Sequence, residues 1–136
     1  MKKYFLLLIF NICISSVQAQ TIQNSHYGIT GYIKSDGTIQ NSQYATVGYF
    51  KNDGTIQNSY YSTIGYIKND GTIQDDHYAT LGYVKNDGTV QNNQYSTLGY
   101  IKTDGTIQNS HYTTIGYAKN IPREWAAVAF FFFSFK

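Results

Sequence analysis

The sequence predicts an all-β repeat protein: a closed ring or barrel of antiparallel β-hairpins, about 12 strands, around a short apolar C-terminal helix. Three observations lead there. A 17-residue unit recurs six times, beginning at Thr21, Thr38, Thr55, Thr72, Thr89 and Thr106. The first five copies each end in Asp-Gly, a turn signal. After the last copy comes a single apolar block, Trp125 to Phe135, broken only by Ser134.

The N-terminus is an address. Met1-Lys2-Lys3 is positively charged, Tyr4 to Phe10 is apolar, and the run continues less strictly to Ile14. Val17-Gln18-Ala19 then supplies the short side chains that a signal peptidase reads. Residues 1–19 are expected to be a secretory signal peptide, cut after Ala19. The apolar run is well short of the ~20 residues of a membrane-spanning helix. Cys13 follows Ile12 rather than a small residue, which excludes lipoprotein processing. It is the only cysteine, so no intramolecular disulfide or Cys-rich zinc site forms. The expected location is the periplasm, the outer envelope or the extracellular space.

Charge excludes further classes. The chain carries 10 Lys and Arg against 8 Asp and Glu, a net +2. Lys2 and Lys3 leave with the signal, so the remaining charges balance. No field is left to steer the protein toward nucleic acid.

Residues 20–120 form the six repeats. Asn-Asp-Gly at 52–54, 69–71 and 86–88 makes a three-residue hairpin loop, with Ser35-Asp36-Gly37 and Thr103-Asp104-Gly105 as variants. The flanks are rich in Ile, Val, Thr and Tyr, which suit strands. That loop sets the register: Phe50 faces Ile56, Tyr49 faces Gln57, and Gly48 faces Asn58. The apolar pair recurs as Ile33/Ile39, Ile67/Ile73, Val84/Val90 and Ile101/Ile107. Five whole hairpins result. A first strand at Thr21 to Tyr27 and a last at Thr113 to Lys119 remain, and their pairing makes a sixth hairpin that leaves no open edge. A ring so closed is expected to be monomeric. Gly31, Gly48, Gly65, Gly82, Gly99 and Gly116 hold one position in every copy, which suggests a crowded ring with room only for hydrogen.

Residues 121–136 change character. Pro122 suits a helix start and Ala126-Ala127-Val128-Ala129 favours helix. An all-round apolar helix is buried in protein or membrane, and this one is too short to span a bilayer. It is expected to plug the ring, the rival being insertion into a membrane.

These tandem units, of the G-Y-I-K-N-D-G-T-I-Q-N-S type, with the closing tail Pro122 to Phe133, resemble the β-flower family of small bacterial secreted or envelope proteins. The resemblance covers nearly all of the chain after the signal. It implies a shape similar to the C-terminal domain of tubby-like proteins, an antiparallel barrel around an apolar helix. It implies no established activity and no functional residues. The phosphoinositide site of tubby-like domains has no matching basic motif here.

Chemistry is sparse. His26, His77 and His111 share one variable repeat position, and only His77 has carboxylates, Asp75 and Asp76, beside it. That set is too small for a metal site. The turn aspartates lack the ligand pattern of a calcium loop. Glu124 is the only Glu, and no nucleophile, acid–base pair or phosphate-cradling glycine loop is recognisable. No enzyme, metal or cofactor is expected. Two rings of side chains are candidate ligand-facing residues for membrane lipid or glycan: Tyr32, Tyr49, Tyr66, Tyr83, Tyr100 and Tyr117, and Lys34, Lys51, Lys68, Lys85, Lys102 and Lys119. A further tyrosine series is Tyr27, Tyr44, Tyr61, Tyr78, Tyr95 and Tyr112. The expected role is structural or interactive and non-catalytic. A lipid- or glycan-binding module, using these rings or the apolar tail, is the alternative.

Overall fold

The structure is a computed structural model and describes residues 20–136. The expected signal peptide lies outside the described residues. The strands are β1 (Gln20–Asn24), β2 (Ile29–Ile33), β3 (Thr38–Asn41), β4 (Thr46–Phe50), β5 (Thr55–Asn58), β6 (Thr63–Ile67), β7 (Thr72–Asp75), β8 (Thr80–Val84), β9 (Thr89–Asn92), β10 (Thr97–Ile101), β11 (Thr106–Asn109) and β12 (Thr114–Tyr117). A short helix α1 (Arg123–Ala127) runs into a π-helical turn (Val128–Phe132). Neighbouring strands pair antiparallel around a closed barrel, and β1 pairs with β12 through Gln23/Tyr117 and Asn24/Gly116.

The register is the one the turns dictate. Phe50 faces Ile56, Tyr49 faces Gln57 and Gly48 faces Asn58, and the four other apolar pairs form as expected. Gly54 shows why glycine closes the loop: its φ is +92°, and a Cβ there would lie 2.3 Å from the Ile67 carbonyl oxygen. The Gly54 carbonyl in turn accepts a bond from Ile67 N–H (2.7 Å), which ties one hairpin to the next. Side chains alternate, so Phe50 and Ile56 enter the barrel while Tyr49 and Gln57 face out.

The terminal strands are shorter than the sequence suggests. β1 ends at Asn24, not Tyr27, and β12 runs from Thr114 to Tyr117 rather than Thr113 to Lys119. A second turn at the opposite end of the barrel takes the difference. The Asn24 side-chain oxygen accepts from the N–H groups of His26 and Gly28, both at 2.9 Å. Tyr27 sits in the left-handed region at φ 66°. Asn41, Asn58, Asp75, Asn92 and Asn109 repeat this local capture, with a left-handed Tyr three residues on. Each repeat also carries a β-bulge: Thr46 faces Gln40 and Gly48 faces Ile39, so Val47 is the extra residue. The bulge turns Val47 inward, where it is buried.

The tail fills the barrel. Asn120 (φ 62°) and Pro122 replace the Asp-Gly turn and divert the chain inward. It enters beside the Asp-Gly turns, where Arg123 donates to the Asn86 carbonyl and Trp125 stacks on Phe50. Ala126, Ala127 and Val128 are fully buried on the axis. The phenylalanines then take one inner-wall glycine each: Phe130 lies against Gly116, Phe131 against Gly99, Phe132 against Gly82, Phe133 against Gly65 and Phe135 against Gly48.

The backbone explains this one-to-one order. Six repeats divide the circle into steps of roughly 60°, whereas an α-helix turns about 100° per residue. A π-helical turn is wider and rotates less per residue, so consecutive phenylalanines reach consecutive repeats. The helix stops at Phe132, short of the expected plug helix through Phe135, because Phe133 is extended (φ −131°, ψ 145°). Extension sends Ser134 to solvent and returns Phe135 to the wall, which is why the aromatic run is broken by a serine.

Candidate functional site

The two rings expected to face ligand lie on the outside of the barrel but differ in character. Each tyrosine of the strand series stacks on a left-handed tyrosine from the following turn: Tyr32 on Tyr44, Tyr49 on Tyr61, Tyr66 on Tyr78, Tyr83 on Tyr95, Tyr100 on Tyr112, and Tyr117 on Tyr27 across the closure. Ring centroids are 4.7–4.9 Å apart and the planes within 13° of parallel. In the first five of these pairs the strand hydroxyl donates to the turn hydroxyl at 3.1–3.4 Å. The bond with the partner hydroxyl is the leading reason that all six strand phenols are held above their ordinary pKa. The strand tyrosines are at least half covered, and Tyr32 is buried. The turn tyrosines remain 64–67% exposed and present one free ring face each.

The sequence points to the strand series as ligand-facing. The exposed face belongs to its partner series, Tyr27, Tyr44, Tyr61, Tyr78, Tyr95 and Tyr112. The signal for it was the Asn three residues before each of these tyrosines, or Asp before Tyr78, which makes the turn that swings the ring outward.

Lys34, Lys51, Lys68, Lys85, Lys102 and Lys119 are all exposed and form a rim at the Asp-Gly end. Five aspartates share that rim, so its charge nearly balances. Asp36, Asp53, Asp70, Asp87 and Asp104 each accept the backbone N–H of a Thr two residues on, at 2.9–3.0 Å. That bond, with help from the Thr hydroxyl, lowers all five carboxyl pKa values. A lowered folded pKa stabilises the fold above the unfolded value, near 3.9, and the benefit is lost as pH falls through the folded values. The melting temperature is therefore expected to fall as pH drops from about 5 toward 2. Replacing all five by Asn, which keeps the acceptor and loses the titration, should flatten that slope in calorimetry. A pH-independent wild type would remove the turn carboxylates from the stability argument.

Asp75, Asp76 and His77 cluster as expected from the sequence, with candidate ligand atoms within 4.8 Å of one another. Asp75 is already occupied as the turn acceptor for His77 and Ala79 N–H. His77 and Asp76 approach at 3.0 Å on the open surface. The cluster is the fourth repeat's version of the Asn turn.

One sector of the barrel departs from the rest. At the bulge position, Val47, Ile64, Leu81, Leu98 and Ile115 have Thr30 as their counterpart. Ile29 and Thr30 reverse the Thr-apolar order of the other copies, and Ile29 points out at 45% exposure. Among the described residues no phenylalanine lies against Gly31: the nearest atoms to a Cβ would be Gln40 and Asn41 backbone. A cleft of about 400 Å³ occupies this sector, walled by Ile22, Ile39 and Val47 and flanked by Phe130 and Phe135. The departure of Gly28-Ile29-Thr30 from the repeat is readable in the sequence, but the missing sixth ring is not.

A family model described as "5-fold beta-flower protein" matches residues 19–134. No curated protein matches the chain. No solved structure matches it.

Proposed function

The chain belongs to the β-flower family, and from that premise we propose that it is a non-catalytic, exported interaction module that displays six copies of one tyrosine surface to glycan. Export rests on Lys2-Lys3, the apolar run and Val17-Gln18-Ala19. The observation that carries the glycan reading is the turn tyrosine, with one ring face covered by its stacked partner and the other free. A rigid aromatic face with polar neighbours suits the C–H face of a sugar ring. Six copies around one barrel favour a repeating polymer, because each further contact is intramolecular. The lipid reading has less support, since the tail is packed in the core and the lysine rim is nearly neutralised.

Glycan-array binding followed by calorimetry tests it. Wild type is expected to bind an oligosaccharide. Changing Tyr44, Tyr78 and Tyr112 to Asn, a residue that tolerates left-handed backbone, should cut apparent affinity by roughly tenfold or more. Binding to liposomes without glycan binding would reverse the assignment, and an unaffected triple variant would remove the tyrosines from it.

A further inference from the structure

We infer that the cleft over Gly31 is a binding site for a small aromatic molecule, a single phenyl ring carrying a polar substituent. The protein itself supplies the template. Five of its six inner-wall glycines each hold a phenyl ring, and a Cβ on any of them would lie 2.6–2.8 Å from that ring. Gly31 stands at the same position of its own repeat and, among the described residues, has no ring against it. The tail's five phenylalanines step around the wall from Gly116 to Gly48, and the next step would be Gly31.

The walls have the matching chemistry. Ile39 is 3% and Val47 7% exposed, and Phe130, Phe133 and Phe135 line the space with them. An apolar cavity of about 150 Å³ already accepts benzene, and ligand sites start near 300 Å³. The cleft, about 400 Å³ and open to solvent on one side, therefore has room for a ring with a short substituent. The mouth fixes the polarity of that substituent. Thr30 and Ser134 are both exposed on its rim, and the Thr30 hydroxyl donates to the Ile22 carbonyl at 3.3 Å, leaving its lone pairs as acceptors. A hydroxyl or amine donor on the ligand meets that edge. The site is independent of the tyrosine wall.

Benzyl alcohol is the probe, with cyclohexylmethanol as its non-aromatic match, read by chemical-shift titration of the intact protein. Saturable benzyl alcohol binding of about millimolar strength is expected, with the largest shifts at Gly31, Ile39 and Val47. Thr30→Phe places a ring from the exposed rim into the cleft and should weaken binding roughly tenfold or more. Thr30→Leu restores the residue type of the other repeats, which coexists there with a phenyl ring, and should retain it. Absence of saturable binding in the wild type overturns the proposal. So does equal binding of cyclohexylmethanol, or binding that Thr30→Phe leaves unchanged.

Discussion

Replacing Phe131 and Phe132 together by Ala is expected to unfold the barrel in plain buffer. Each ring lies between the axis and one glycine of the wall, Gly99 and Gly82 respectively. Removing a core phenylalanine costs about 3–5 kcal/mol, and a domain has only about 5–15 to lose. Both rings keep some exposure at the barrel end, so the lower figure applies to each. Two such losses, about 6 kcal/mol together, equal the whole margin of a domain at the lower end of that range. The other strands cannot compensate, because an isolated hairpin is only marginally stable and every hairpin leans on this centre. Circular dichroism and thermal melting of the double variant provide the measurement. Deletion from Ala126 onward should behave the same way. A deleted protein that melts like the parent would show that the tail is not the core, and liposome sedimentation would then test it as an anchor.

Gly82→Ala is expected to lower the melting temperature by roughly 10 °C or more, a large effect for one methyl group. The new Cβ would lie 2.1 Å from the Gln91 carbonyl oxygen and 2.7 Å from the Phe132 ring. The oxygen is backbone in the neighbouring strand, so relief requires β8 and β9 to separate around Gly82 and Asn92. The ring is held by its own glycine contact and by the tail on either side. Gly31→Ala is the control that lacks a ring. It also meets a carbonyl, Gln40 at 2.6 Å, but no ring. Its expected smaller loss reflects both the absent ring and the longer carbonyl contact. Equal melting temperatures for Gly82→Ala and the parent would contradict the packing of ring on wall.

Much of the barrel was legible because its determinants are local and repeated. Asn52-Asp53-Gly54 sets a loop length, the loop sets a register, and the register puts Phe50 opposite Ile56. Counting turns then required Thr21 and Thr114 to lie in closing strands. The crowding at Gly48 and its equivalents was readable too, though not what crowds them. The turn that ends β1 was missed because its left-handed residue is Tyr27, a type that rarely adopts that backbone without help. The help comes from Asn24, whose side chain captures two N–H groups, and an Asn in an Asn-Ser pair reads equally well as strand end or loop. The match of each phenylalanine to one glycine lay beyond sequence reasoning. It depends on how far the tail rotates per residue inside a ring of fixed circumference, a property of neither segment alone. The vacancy at Gly31 follows from the same match and was hidden with it.

The pairing of β1 with β12 also dictates an order of assembly. The two partners are separated by nearly the whole length of the repeat array, and the tail that fills the centre follows β12. A growing chain therefore has no way to complete a core early. Until residues 114–135 emerge it is a row of weak hairpins with open edges, held back by the entropy of a long loop. Folding is then a late event that commits the entire chain at once. A prematurely ended copy exposes strand edges and unfilled apolar wall, the features that mark an incomplete product for aggregation or degradation.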